Sequence, residues 1–225
     1  MKTYYIRIME FILKNKTLTL VGKRASGKSE LLRHLVEMTA DNFYSIFLIC
    51  PTEKVNGFYD GLINPSNIFD QYDEQWIEQL MDKMGKENAN KSSNNSSHVL
   101  LILDDICADI NLSKSKTIRQ LFCRGRHLRI SIIITAQYLF QIPPVLRCNS
   151  DFVAVGQMNA QSLDLLVGEF QYGNITKKEF KSMYLKSTNN YQFLLINCNT
   201  AKNNDDLSLI YGTIGINEGQ LRIKN

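Results

Sequence analysis

The amino-acid sequence predicts an α/β domain in three layers: a mostly parallel central sheet with helices on both faces. Three observations carry that reading. Short apolar, β-branched runs recur at 17–21, 45–50, 99–103, 130–135 and 152–155, and near-continuous apolar strands mark a parallel sheet buried on both sides. Helical spacing of apolar residues fills the intervals, and strands alternating with helices close most simply into a parallel sheet. The first run leads straight into Gly22-Lys23-Arg24-Ala25-Ser26-Gly27-Lys28-Ser29, the spacing of a phosphate-binding loop between strand and helix.

In order, residues 4–8 have the composition of an edge strand. Residues 17–21 are a buried strand, and 30–38 place Leu31, Leu32, Leu35 and Met38 on one helical face. Residues 45–50 form the second strand, stopped by Pro51; Gly57, Gly61 and Pro65 mark an irregular loop behind it. Asp73 is placed to cap a helix whose inward residues are Trp76, Ile77, Leu80, Met81 and Met84. Residues 85–98 are polar and rich in Asn and Ser, a surface loop by composition. The strand at 99–103 ends in Asp104-Asp105, and Ser113 is placed to cap the next helix, with Ile118, Leu121 and Phe122 inward and Gly125 at its exit. The strand at 130–135 runs into Ala136-Gln137, and a loop with Pro143-Pro144 precedes the shorter strand at 152–155. Asn159 and Thr176 begin two further helices, Thr176 and Glu179 standing at capping-box spacing. Residues 191–197 make a sixth strand, and the tail beyond 201 has no assigned place. The whole is read as one domain, residues 1–225, with a core at about 15–155 and 156–225 as its C-terminal extension.

A hydrophobic content of 44% and an aromatic content of 10% fit a soluble globular domain. No segment has the apolar length of a membrane span, and the N-terminus lacks the order of a signal peptide. Cys50, Cys107, Cys123, Cys148 and Cys198 form no Cys-x-x-Cys pair and have no His at zinc-site spacing. Three of them sit in or beside apolar runs, so small buried thiols in a reducing, cytosolic compartment are the reading. The net charge of +4 is unevenly spread. Residues 110–150 hold Lys114, Lys116, Arg119, Arg124, Arg126, Arg129 and Arg147 without one Asp or Glu, so they carry +7 and leave −3 elsewhere. A solvated face is the plain reading; beside a nucleotide site, a polyanion partner or a subunit boundary stands level with it.

The loop from Gly22 to Ser29 wraps backbone N–H groups around phosphates at the positive end of a helix, its glycines permitting the turns and close approach. Lys28, standing solvated in the empty loop, reaches the β- and γ-phosphates, and the Ser29 hydroxyl holds Mg²⁺. The loop is thus a nucleoside-triphosphate site with Mg²⁺, and the resemblance given below implies that the triphosphate is ATP. Asp104, at a strand end downstream of the loop, is assigned to Mg²⁺ opposite Ser29. Asp105 is assigned as the general base that polarises the attacking water, although helix capping or loop solvation suits an Asp-Asp pair equally. Gln137 orients that water or senses the γ-phosphate, or else turns the chain into Tyr138-Leu139-Phe140. Arg126 is read as charge for a phosphoryl-transfer transition state in a neighbouring subunit. Arg124, Arg129 and Arg147 compete with it, and a surface charge or salt bridge explains any one of them.

The segments 22–29, 100–105 and 125–137, in that order and with Gln ending the strand after the acidic pair, resemble the FtsK-HerA superfamily of DNA-pumping P-loop ATPases (RecA/FtsK-like fold). Residues 124–149 resemble more narrowly the DNA-packaging ATPases of poxviruses, other nucleocytoplasmic large DNA viruses and virophages. Asp105 stands where the bacterial pumps carry Glu and the viral branch often has Asp. The resemblance implies that the Gln137 strand lies between the phosphate-loop and Asp104 strands. It implies an ATP-driven double-stranded DNA translocase that fills a capsid, built as a homo-oligomeric ring of five or six subunits with Arg126 donated in trans. A docking capsid protein, an assembly site in the host cytoplasm and association with the virion belong to the same expectation. Three rivals stay open at this level: a nucleoside or nucleotide kinase, a pump for segregation or conjugation, and a nucleotide-regulated switch without turnover.

Overall fold

A computed structural model describes residues 13–53, 57–90, 97–108, 114–172, 174–199, 211–217 and 220–224. The strands are β1 (Thr17–Val21), β2 (Ser45–Ile49), β3 (Ile68–Phe69), β4 (Val99–Leu103), β5 (Ile130–Ala136), β6 (Phe152–Val155), β7 (Phe193–Asn197), β8 (Tyr211–Asn217) and β9 (Gln220–Lys224). The helices are α1 (Lys28–Thr39), α2 (Glu74–Asn90), α3 (Lys116–Arg124), α4 (Pro144–Cys148), α5 (Ala160–Phe170) and α6 (Lys177–Ser187). Among the described residues the strands form one sheet in the order β3-β2-β4-β5-β1-β6-β7-β8-β9. Pairing is parallel from β3 to β6 and antiparallel from β6 to β9. β5 lies between β4 and β1, the order implied by the family resemblance.

Each parallel strand feeds two cores, because alternate residues point to opposite faces. Leu101 and Leu103 join Ile132 and Ile134 on one face, together with Ile77, Ile118, Leu121, Leu146, Leu166 and Phe180 from helices α2 to α6. Leu100, Ile102 and Ile133 face the other way, against Leu31, Leu32 and Leu35 of α1 and Tyr59 and Ile63 of the segment after β2. Five helices therefore cover one face, and α1 with a folded loop covers the other.

Several boundaries differ from the sequence expectation. Met38 is 45% exposed; Val36 and Thr39 complete the inward face of α1 instead, because that face is centred on Leu35 and Thr39 and Met38 falls at its edge. Helix α2 runs through Gly85 to Asn90, where one glycine costs too little to end a helix with a buried face; residues 91–96 lie outside the described residues. Ser115 caps α3, its hydroxyl accepting from the Ile118 N–H at 3.1 Å, while Ser113 lies outside the described residues. Pro144 opens α4, a position where its missing N–H has no helical partner to lose. Residues 68–69 pair with β2, and the tail supplies β8 and β9. The caps at Asp73, Asn159 and Thr176 stand as expected. Residues 4–8 lie outside the described residues.

Register fixes where function gathers. Val21 pairs with Ala136 and Leu103 with Ile134, so β1, β4 and β5 end together. The phosphate loop, Asp104-Asp105 and Gln137 thus share the carboxyl edge, where ligands of parallel sheets bind. Because β7 runs against β6, with Val155 opposite Leu194, the chain enters β7 from that same edge.

The Ser115 hydroxyl also meets Tyr72 Oη at 3.0 Å and donates to Glu74 at 3.0 Å. Ser115→Ala removes a cap and a link between α2 and α3, and is expected to lower stability by about 1–2 kcal/mol, read as a shift in the urea midpoint at unchanged slope.

Candidate nucleotide-binding site

The loop is stitched to its neighbours before it does anything else. Gly22 N–H donates to Ala136 O at 3.1 Å and Lys23 N–H to Gln157 O at 2.8 Å. A Cβ at Gly22 would stand 2.6 Å from Ser26 Oγ, so any larger residue there would force that hydroxyl aside. Gly27 has φ +88° at the start of α1, a left-handed position that glycine adopts without strain. Ser26 Oγ is buried and has no hydrogen-bond partner among the described residues, an orphan hydroxyl inside a cradle of phosphate-binding shape. Ser29 is exposed on the first turn of α1.

Lys28 differs from the expectation. It is half-buried, and its ammonium donates to Gly22 O at 2.5 Å and Lys23 O at 3.2 Å. An ammonium carries three donors and no acceptor, and the loop carbonyls are the acceptors within reach. Burial pushes its pKa down, while the charges of Asp105 and Asp104 pull it up. Lys28 therefore lies within the field of both aspartates.

Asp104 is buried and held at both oxygens. Oδ1 accepts from the Thr135 hydroxyl at 2.6 Å; Oδ2 accepts from the Tyr59 hydroxyl at 3.2 Å and the Cys50 thiol at 3.7 Å. Burial, reinforced by the Asp104 charge, pushes the Tyr59 phenol far up, so it stays a donor. Burial likewise raises Cys50. Asp105 sits beside it at φ +55°, its N–H donating to Thr135 Oγ1 at 2.9 Å. Gln137 Nε2 reaches Asp105 Oδ2 at 3.5 Å. The Gln141 side chain accepts from the N–H groups of Gln137 and Tyr138 at 3.1 and 2.9 Å, fixing the turn after β5.

The structure thus brings together the loop 22–29, Asp104, Asp105 and Gln137, and leaves Arg126 apart. Arg126 belongs to the 3₁₀ turn Gly125–Leu128 before β5, at the opposite sheet edge. The seven residues of β5 put about 20 Å between the two edges. Of its competitors, Arg147 is 4% exposed; its Nε donates to Glu169 at 2.6 Å and its other nitrogens to Glu169 and the Ile142 and Leu139 carbonyls. It is a structural cation. The cysteines divide as well: Cys50 is buried, Cys107 and Cys198 are half-buried, and Cys123 and Cys148 are exposed. Tyr59 and Thr135 had no signal beyond their residue types, since Tyr59 falls in a stretch without periodicity.

Ser29 and Asp104 offer hydroxyl and carboxylate oxygens, a hard donor set suited to Mg²⁺ shared with phosphates. No cluster of three or more His, Cys, Asp or Glu that would enclose a metal occurs among the described residues. Nor does any described helix have the length and apolarity to cross a membrane.

Residues 7–212 match the sequence profile of the poxvirus A32 protein. The chain belongs to that family. It is 30% identical over 191 residues to the uncharacterized protein 075L of Invertebrate iridescent virus 6, covering 84% of this chain and 72% of that one. It is 28% identical over 212 residues to the DNA packaging protein OPG160 of Vaccinia virus, covering 92% and 72%. In fold it resembles the genome packaging NTPase B204 of Sulfolobus turreted icosahedral virus 2, solved with ATP-gammaS, at a TM-score of 0.60 and 14% identity over 93% of this chain and 96% of that one. The A32 family lies within the viral packaging branch that residues 124–149 resemble.

Thr135→Val keeps the volume and strands both the Asp104 carboxylate and the Asp105 N–H. It is expected to cost roughly 1–3 kcal/mol of stability, measurable by denaturant unfolding, whereas Thr135→Ser retains most of it.

Proposed function

We propose that this chain is an ATP-driven motor that moves double-stranded viral DNA into a capsid. The observation that carries the reading is the meeting of phosphate loop, Asp104-Asp105 and Gln137 at one sheet edge, in a family that includes a DNA packaging protein. Loop 22–29 cradles the phosphates with the N–H groups of Arg24, Ala25 and Gly27, those of Gly22, Lys23 and Ser26 being committed to the Ala136, Gln157 and Lys23 carbonyls, and Lys28 leaves the loop carbonyls to neutralise them. Ser29 and Asp104 would hold Mg²⁺, which would supply charge compensation for the transferred phosphoryl group. Asp105 polarises the attacking water, and Gln137, in reach of Asp105, positions it.

The motor works as a homo-oligomeric ring of five or six copies, docks on a capsid protein and operates at a cytoplasmic assembly site, with residues 1–225 acting as a single ATPase domain. Lys114 just before α3, Lys116, Arg119 and Arg124 along it and Arg126 on the turn after it are exposed, a surface suited to duplex phosphates and indifferent to sequence. Arg126 serves the site of a neighbouring subunit. Its exposure and its distance from its own phosphate loop support that role over one in cis.

ATP hydrolysis that rises with duplex DNA tests the reading, and phosphate transfer to a nucleoside would instead identify a kinase. Lys28→Ala is expected to abolish turnover; an unchanged rate ends the assignment. Asp105→Asn is expected to retain ATP without hydrolysing it, while Asp104→Asn weakens the metal dependence of binding.

Arg126→Ala is expected to bind ATP normally and hydrolyse it about 10³-fold more slowly. Mixed with Lys28→Ala in one ring, it creates boundaries with an intact Lys28 facing an intact Arg126, and those boundaries regain hydrolysis. Mixed rings, verified by mass, that stay inactive at every ratio exclude Arg126 as the residue donated in trans.

A further inference from the structure

Tyr191 is an aromatic ring that the fold holds outward beside the phosphate loop. It is 71% exposed. Its backbone is left-handed at φ +57°, directly after Asn190 at φ +54°, a conformation that L-residues rarely adopt and bulky ones least. Gln192 N–H closes this turn on Asn189 O at 3.1 Å. Phe193, fully buried, anchors it: its Cε1 lies 3.5 Å from where a Cβ on Gly22 would stand. The side chain of Tyr191 lies over Gly27, its Cβ and Cδ1 both 3.4 Å from the position of a Cβ on that residue. A packed core residue thus fixes the turn under one loop glycine, and the turn sets an open ring against the other.

The sheet order says which part of a nucleotide that ring meets. Asp104, Asp105 and Gln137 follow β4 and β5, on one side of β1; Tyr191 enters β7, on the other side beyond β6. A triphosphate lying across the loop with its γ end toward the aspartates runs its α-phosphate and nucleoside toward β6 and β7. The group that arrives there is a flat, weakly polar heterocycle.

We propose that Tyr191 is the nucleobase platform of the site, its ring stacking on the purine of the bound triphosphate. The proposal rests on the reading of the loop as an ATP site. Because every base has a π face, stacking gives affinity with little choice of base. Tyr191 therefore strengthens ATP and GTP alike, and contributes nothing to a phosphate chain without a nucleoside.

Calorimetric titration with Mg-ATP, Mg-GTP and Mg-tripolyphosphate tests this. Tyr191→Asn removes the ring and keeps a residue that accepts the left-handed turn; Tyr191→Phe and Tyr191→Trp keep a ring. The expected result is ATP and GTP affinity lowered about 10-fold or more in Tyr191→Asn, near wild-type in the two aromatic variants, and tripolyphosphate affinity unchanged in all three. Wild-type ATP affinity in Tyr191→Asn overturns the proposal. So does an equal loss of tripolyphosphate affinity, which would make Tyr191 a support for the loop. Lost duplex-DNA affinity with ATP affinity intact assigns the ring to DNA and overturns it too. A wild-type protein that binds neither ATP nor tripolyphosphate overturns the ATP-site reading itself, an outcome distinct from all of these.

Discussion

One hydroxyl governs the geometry at the carboxyl edge. Thr135 Oγ1 donates to Asp104 Oδ1 and accepts from Asp105 N–H, so a single atom of β5 sets the spacing of two residues that follow β4. The hydroxyl is fully buried, where a polar group without partners would be costly. Both of its roles are therefore obligatory, and neither aspartate moves without the other. The left-handed turn at Asp105 follows from that arrangement: Asp104 points inward to Thr135 and Tyr59, and the chain must bend sharply for its neighbour to face Gln137. Strained backbone of this kind persists only where surrounding contacts over-determine it.

The sheet makes this possible at low cost. Parallel strands buried on both faces are interchangeable in composition, and only their ends differ. Ile130 to Thr135 and Val99 to Leu103 could pair in several registers by hydrophobicity alone. The hydroxyl of Thr135, the last residue but one of β5, favours the register that brings it level with Asp104. A polar contact at the rim thereby adds specificity to packing that lacks it.

Much of this was legible in the sequence. The strands at 17–21, 45–49, 99–103, 130–136 and 152–155 stand close to their expected bounds because short runs so rich in apolar residues leave a chain few other ways to be buried. Asp104, Asp105 and Gln137 were readable as strand-end residues for the same reason. What the sequence hid is contact across distance. Tyr59 lies in a Gly-punctuated segment without periodicity, and nothing local says that its hydroxyl reaches a carboxylate 45 residues on. Lys28 looked free because spacing reports what a side chain can reach, and not which carbonyls it meets first. The Tyr191 turn was read as strand, since an aromatic residue beside an apolar run has strand composition whatever its φ. The end of α2 ran past Gly85, which costs a helix with a buried face too little to stop it, and the start of α3 moved to Ser115, where two serines of similar capping strength stand close together.

The buried Arg147 has a consequence for anyone mapping the arginines by loss of turnover. Its guanidinium ties α4 to Glu169 of α5 and to the carbonyls of Leu139 and Ile142, the stretch that continues the turn at Gln137. Removing it leaves the Ile142 and Leu139 carbonyls unmatched and the half-exposed Glu169 without its partner, a loss of roughly 1–3 kcal/mol. An alanine there would silence the enzyme by loosening the floor beneath Gln137, and an activity screen alone would score it as an arginine finger. Thermal melts separate the two cases: a residue that reaches into a neighbour's site can be lost while the isolated subunit keeps its melting temperature, and a residue that props up its own cannot.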